Sequence, residues 1–444
     1  MPEESDADEP TTYAAAVGSV PDWPDELDEP DPSDGDQDDE DGPAPARPHR
    51  RVSPLLVLGR VVVGLVSAVA LAAMSMVYLR VDELDSSKNT TDAVAEAQQG
   101  KDAPAPDDGA NDILIVGNDS RTDMQGNPLS DELLKELRTE ATETLNTDTL
   151  ILLRIPRDGG RGAAISIPRD TSVQVPGLGR DEKINGAFGI TKALTAEKLV
   201  NGGEKDRAKI ERESDDAGRT ALIQTVQVLT GVRVDHYTEV SLYGFYLLTE
   251  VIDGVDVCLK RSTSDPDSGA SFAAGPQTVR GGDAVSFVRQ RKNLPRGDLD
   301  RIVRQQTFLS AAMSKVLSGD LLTNNAKLNA LEDAVSKTVV MDDGLHFLEL
   351  VNQAQVLASG QVQFVTIPVT GVGARNDRGQ SIITVDLPAV HKYVAGLVSA
   401  NPPPPAPPAT SPPAAPPSKF AGARMLDLTA PAAAAARAAV PCVY

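Results

Sequence analysis

The segment 287–306, FVRQRKNLPRGDLDRIVRQQ, sets six bases (Arg289, Arg291, Lys292, Arg296, Arg301 and Arg304) against two acids. The whole chain carries 64 acids and 42 bases, a net charge of −22, so this local surplus calls for an anion. A planar guanidinium meets phosphate oxygens two at a time, which suits clustered arginines to a phosphate or pyrophosphate. Pro295 restricts Leu294 and breaks the chain between two helical stretches, and Gly297 or Asp298 caps the second. On that second stretch Asp298, Arg301 and Gln305 recur at i, i+3 and i+7 and share a face. Leu299, Ile302, Val303, Leu309, Met313 and Leu317 form an apolar stripe roughly 100° away. Arginines at the edge of an apolar surface suggest a phosphorylated lipid or similar anion; a solvated helix with surface ion pairs is the plainer alternative.

A second group lies in turns at strand ends: NDSRTD (118–123), NTDT (146–149) and SIPRD (166–170). Open α/β sheets bind ligands where such loops gather. Each turn supplies an acid, and Arg121 and Arg169 add cations, a set able to hold Mg2+ together with a phosphate. Each aspartate taken singly also fits an Asx turn or a cap. His236 is a candidate general base or, as a lone histidine at a strand start, a structural residue. The four histidines lack metal-ligand spacing and two cysteines make no zinc cluster. Nucleotide-loop, serine-hydrolase and dinucleotide motifs are missing.

The elements that must position these residues alternate. Apolar runs of strand length occupy 112–117, 148–155 and 163–167, and helix-period stretches occupy 129–143, 220–230, 242–252, 281–289, 298–317 and 387–397. This alternation predicts an α/β fold, a central mixed sheet sandwiched by helices. The charged stretch 201–218 reads as an exposed insertion.

Around this domain, taken as 110–400, the chain changes character. Residues 1–46 hold 17 acids and no Lys or Arg, a disordered acidic tail. Residues 55–80 read as a transmembrane signal anchor, since 61–79 is 19 residues without a charge, about the thickness of a hydrocarbon core. Arg47, Arg50 and Arg51 before it put the N-terminus in the cytoplasm and the domain outside a cell membrane crossed once. A cleaved signal peptide and a buried helix are the competing readings. Residues 81–109 read as an extracellular linker, 401–417, with 10 prolines, as a stiff spacer, and 418–444 as a short tail. An acidic chain of this kind has no nucleic-acid partner.

In this order, the motifs GNDSRTD (117–123), NTDT (146–149), SIPRD (166–170), KINGAF (183–188), LTGVRVDHY (229–237), VIDGV (251–255) and 287–306 resemble the LytR-CpsA-Psr family of cell-envelope proteins, actinobacterial type. The resemblance implies an α/β domain whose apolar interior holds a polyprenyl chain with the pyrophosphate at an arginine-lined mouth. It implies transfer of a glycopolymer (arabinogalactan, teichoic-acid-like or capsular) from a polyprenyl-pyrophosphate carrier to peptidoglycan, a phosphotransferase-type reaction with Mg2+. By motif, Asp148 and Asp170 resemble the metal-site acids. Arg169, Lys183, Arg289, Arg291, Arg301 and Gln305 resemble the phosphate-binding set, with Arg121 close to it. Asp298 resembles a polar neighbour that orients an arginine or assists proton removal. Gly186 and Phe188 depart from the family pattern, the stretch 201–218 leaves Arg207, Arg212 and Arg219 unaligned, and the Pro-rich segment stands where some relatives carry an accessory domain.

Outside the membrane a disulfide is chemically allowed, and Cys442 is expected to return to Cys258 and pin the tail. Two other functions fit the same residues: a pyrophosphatase with water as acceptor, and a non-enzymatic envelope-lipid scaffold or regulator.

Overall fold

The computed structural model describes residues 89–398, apart from 107, 123–126, 141–144, 319–323 and most of 347–361, together with 440–444. All of them belong to one unit, Ala68–Tyr444. The acidic tail 1–46, the apolar run 55–80, the spacer 401–417 and the segment 418–439 lie outside the described residues, among which no helix is long and apolar enough to cross a membrane.

Seven strands form a mixed sheet in the order Asn89–Thr91, Val339–Asp342, His236–Val240, Ala110–Asn118, Thr147–Pro156, Gly162–Ser166, Val362–Thr366. The central pair, Ala110–Asn118 and Thr147–Pro156, is antiparallel, and Ala110–Asn118 runs parallel to His236–Val240. Side chains alternate across the pleat with period 2. Leu114, Val116, Leu150 and Leu152 therefore join one core with Phe188, Leu222 and Val226, while Ile113, Ile151 and Leu153 join another with Leu331 and Val335. A sheet apolar on both faces must be covered on both, which makes the sandwich.

A smaller sheet, Gly275–Val279, Val255–Leu259 and Cys442–Val443, packs on the helices Gly281–Arg289 and Asp298–Ser318 through Phe287, Phe308 and Val443. The Asp298–Ser318 helix divides its apolar residues: Val303 and Phe308 face this cluster, whereas Leu309 and Met313 face the main sheet. The single stripe expected from the sequence is thus two, because the helix is wedged between two sheets.

Two expectations are corrected. The stretch 201–218 is exposed over most of 201–213 but is not a separate insertion: Arg207–Thr230 is one 24-residue helix, capped by Asp206 accepting from the amides of Ala208 and Lys209, and Ser214 and Gly218 on it are buried. Its charges are met by the antiparallel helix Ala187–Asn201, where Lys192 reaches Glu211 (2.6 Å) and Asp215 (2.7 Å). Gly218 permits the approach, since a Cβ there would stand 2.9 Å from the Phe188 carbonyl oxygen. Nor is 81–109 a linker throughout: Asn89–Thr91 adds an edge strand, and Ala93 and Ala97 of the helix Ala93–Gln98 are fully buried. Alanine's small side chain packs closely and favours helix, which a reading based on polarity overlooks.

Candidate functional site: a guanidinium and carboxylate cleft at one end of the sheet

Register brings the motif turns together. Asn118 is level with Thr147, and Ser166 with Ile151, so NDSRTD, NTDT and SIPRD emerge at the same sheet end. The Asp298–Ser318 helix crosses above them: Arg301 Nη2 donates to the Asp148 carbonyl (3.2 Å), and Gln305 Nε2 donates to Thr149 Oγ1 (3.0 Å) and the Val288 carbonyl (3.2 Å). The i, i+3, i+7 face thus lies on the start of the strand Thr147–Pro156.

Asp148, Arg169, Arg289, Arg291, Asp298 and Arg301 line one cleft of about 350 Å3. Arg169 Nη1 donates to Asp148 Oδ1 at 2.6 Å, and its Nε stands 3.6 Å from Asp298 Oδ1. Arg301 Nη2 is 3.1 Å from that same Asp298 oxygen. Arg301 is 2% exposed. Among the described residues, Nε of Arg169, Nε of Arg301 and both carboxylate oxygens of Asp298 are buried without a hydrogen-bond partner. Buried donors of this kind are costly unless a ligand meets them.

The electrostatics divide the two carboxylates. Burial opposes ionisation of Asp148, but Arg169, Arg301 and Arg289 overcome it and hold the carboxyl below its ordinary range. At Asp298 burial prevails over Arg301 and Arg169, and Asp170 and Asp148 add repulsion, so its proton affinity is raised. Burial also lowers the proton affinity of Arg289 and Arg301, which nevertheless remain cationic at neutral pH.

The structure separates the remaining candidates. Lys183 Nζ pairs with Asp170 Oδ1 at 2.8 Å, while Arg121 hydrogen-bonds the carbonyls of Asp119 and Glu140. Lys183 and Arg121 line a second, adjoining cleft, and Asp170 and Gln305 line neither. His236 sits at the other end of the sheet, level with Ile113, its Nδ1 3.0 Å from Asp342 Oδ2, and takes no part in the cleft.

Asp265, Asp267 and Ser268 line the first cleft and were not singled out by sequence. Asp265 Oδ2 accepts the backbone amides of Arg291 and Lys292 (3.1 Å each), fixing the arginine loop across 26 residues of chain. The DPDS turn (265–268) was the one signal for them.

A family model, LytR_cpsA_psr, matches residues 76–395. The chain belongs to the LytR-CpsA-Psr family. Within it, the cell wall biosynthesis protein LcpA of Corynebacterium glutamicum is 44% identical over 346 residues, 78% of this chain and 66% of its own length. TagU of Bacillus mycoides, named polyisoprenyl-teichoic acid–peptidoglycan teichoic acid transferase, is 26% identical over 231 residues, 50% of this chain and 60% of its own. The crystal structure of B. subtilis TagV aligns at 21% identity with a TM-score of 0.45, covering 66% of this chain and 96% of that one. The chain therefore spans less than two thirds of the length of these two curated relatives. The family match covers both the sheet end and the arginine helix, the two parts that build the cleft.

On the smaller sheet, a disulfide joins Cys258 to Cys442, so that Val443 pairs beside Leu259. Lys260 N donates to the Val443 carbonyl at 2.8 Å, and Arg304 Nε donates to a main-chain oxygen of Tyr444. Arg304 is fully buried and holds Gln290 Oε1 at 2.8 Å, between Arg289 and Arg291.

Proposed function

We propose that this protein transfers a cell-wall glycopolymer from a polyprenyl-pyrophosphate carrier to peptidoglycan, from a single-pass anchor in the cell membrane with the domain outside. The guanidinium groups of Arg169, Arg289, Arg291 and Arg301, lining one cleft, carry this reading, because such planar forks match phosphate oxygens two at a time. The relative TagU, named a teichoic acid transferase to peptidoglycan, supports the substrate class.

In the reaction a hydroxyl oxygen of the acceptor attacks the phosphorus bearing the glycopolymer, and the bond to the polyprenyl-side phosphate oxygen breaks. Arg169, Arg289 and Arg301 orient the phosphoryl oxygens and neutralise the charge that develops on them. Asp298, which lines the cleft with a raised proton affinity and keeps Oδ2 outside its ion pairs with Arg301 and Arg169, is the carboxylate that takes the hydroxyl proton. Asp265 fixes the loop that carries Arg291, and Gln305 fixes the helix on the strand below.

Among the described residues no three acids, histidines or cysteines cluster to hold an ion alone. A Mg2+ bound partly through substrate phosphate needs only one or two carboxylates. Asp148, which lines the cleft and gives one oxygen to Arg169, fits that role, and Asp170, outside the cleft lining and paired through one oxygen with Lys183, would be the second carboxylate. Mg2+ bound there supplies further neutralisation of phosphoryl charge.

The test is the full chain in lipid nanodiscs with Mg2+, a labelled polyprenyl-pyrophosphate oligosaccharide and un-crosslinked peptidoglycan, beside Arg289→Ala. Label on the glycan with the wild type alone supports transfer. Release as free sugar phosphate replaces it with a pyrophosphatase, and an intact donor in both proteins with lipid still bound leaves a scaffold.

A further inference from the structure

The second cleft, about 1080 Å3 against about 350 Å3, is used by none of the steps above. Two residues left without a role meet in it: Asn146 of NTDT and Asn185 of KINGAF. Neither side-chain amide donates or accepts a hydrogen bond among the described residues, although both backbones are fixed. Asn146 N donates to Asp119 Oδ1 (2.7 Å), Asn185 N donates to the Arg169 carbonyl (3.1 Å), and the Asn185 carbonyl accepts from Thr147 Oγ1 (3.4 Å). Two amides held on a rigid frame offer donors and acceptors together, the pairing that a sugar hydroxyl or acetamido group requires. Leu129, Leu145 and Ile190 also line the cleft and offer apolar surface for the C–H face of a ring. Three of its lining cations are already engaged, Lys183 with Asp170, Lys192 with Glu211 and Asp215, and Arg121 with the carbonyls of Glu140 and Asp119, which weakens their pull on an anion.

The two clefts share a partition. Asp148 faces the first and Asn146, two residues away, the second; the Arg169 side chain lines the first while its carbonyl holds Asn185 in the second. A saccharide seated on the amides therefore lies next to the phosphoryl group.

We infer that the second cleft binds the acceptor glycan strand and presents its hydroxyl to the phosphate cleft, with Asn146 and Asn185 as the reading groups. This rests on the first cleft being the site of phosphoryl transfer. The volume supports an oligosaccharide rather than a single sugar, and the smaller cleft is taken up by the donor's phosphates.

The experiment uses the full chain in nanodiscs and two probes: soluble un-crosslinked glycan strands, followed by calorimetry, and the labelled donor, followed by retention on the nanodisc. Asn146→Ala/Asn185→Ala is expected to weaken strand binding about tenfold or more, as loss of two such contacts predicts, and to raise the acceptor KM with donor retention unchanged. Ala193→Trp, at an exposed position of the cleft lining, fills space in the cleft while leaving both asparagines in place and is expected to do the same. Unchanged strand binding in both variants overturns the inference. So does a fall in donor retention in either, which assigns the cleft to the donor's own sugars. Arg289→Ala is expected to lose donor and keep strand binding; if instead it keeps the donor, the phosphate reading fails while the strand result stands by itself.

Discussion

Arg169 bridges two carboxylates of opposite character: its Nη1 holds Asp148 Oδ1 at 2.6 Å, and its Nε stands 3.6 Å from Asp298 Oδ1. The same guanidinium thus keeps one acid ionised while burial leaves the other with a raised proton affinity. A lysine at this position has one charged nitrogen and cannot span both. Arg169→Lys is expected to reduce kcat by about 10²–10³, the range for loss of a transition-state donor, with little change in melting temperature. Single-turnover transfer rates beside a thermal melt test this.

The raised proton affinity of Asp298 fixes a direction for pH dependence. If Asp298 accepts the hydroxyl proton, transfer falls as pH drops through its folded pKa, above the ordinary carboxylate value of about 3.9. In Asp298→Asn that acid limb disappears and the remaining rate is flat over the same interval. A pH–rate profile of both proteins under saturating acceptor decides it; an unchanged limb in the variant removes Asp298 from the proton step.

Asp112 is a second consequence of burial, at the far end of the sheet. It is 0% exposed, and burial, only partly countered by Arg154, pushes its pKa up to about 8. Because the folded value exceeds the unfolded one, its favourable contribution is complete below about pH 4 and is lost as pH rises towards 8. Asp112→Asn removes this term. Its stability relative to wild type is expected to rise across that interval by up to about 1.4 kcal/mol per pH unit. Urea midpoints at pH 5, 7 and 9 give the slope.

Gly218 carries a helix contact that the phosphate cleft does not share. Gly218→Ala forces a Cβ to 2.9 Å from the Phe188 carbonyl oxygen, so a loss of about 1–3 kcal/mol is expected, with transfer per folded molecule preserved. Calorimetric melting combined with active-site titration checks both halves.

Cysteine pairing supports the arginine loop through Tyr444, Arg304 and Gln290. Cys442→Ser is expected to cost about 2–5 kcal/mol and to lower transfer as well, since Arg304 loses its Tyr444 partner. Adding reductant to the wild type is expected to reproduce both effects, and a variant with normal activity separates the pairing from the site.

The sheet and the arginine helix were legible because their signals are local. The helix Gly281–Arg289 has the bounds its periodicity predicts, and DILIVG marks the strand Ala110–Asn118 to within two residues. What escaped depends on distant partners. Charges at Glu211 and Asp215 look solvated until Lys192, 19 and 23 residues earlier, is folded against them. Arg219, left aside for want of alignment, is buried against Glu239 at 2.9 Å, with Tyr237 and Asn118 on the same carboxylate. Likewise nothing near 183 reveals that Lys183 lines the second cleft and is paired there with Asp170.

The disulfide also changes what the proline-rich segment is. Leu387–Gly396 packs on the domain at one end of it and Cys442 is bonded to the domain at the other, so residues 399–439 connect two points on the same body. Such a segment is a closed loop instead of a tether. A single cut within it divides the polypeptide but releases nothing: the pieces travel as one species without reductant and as two with it.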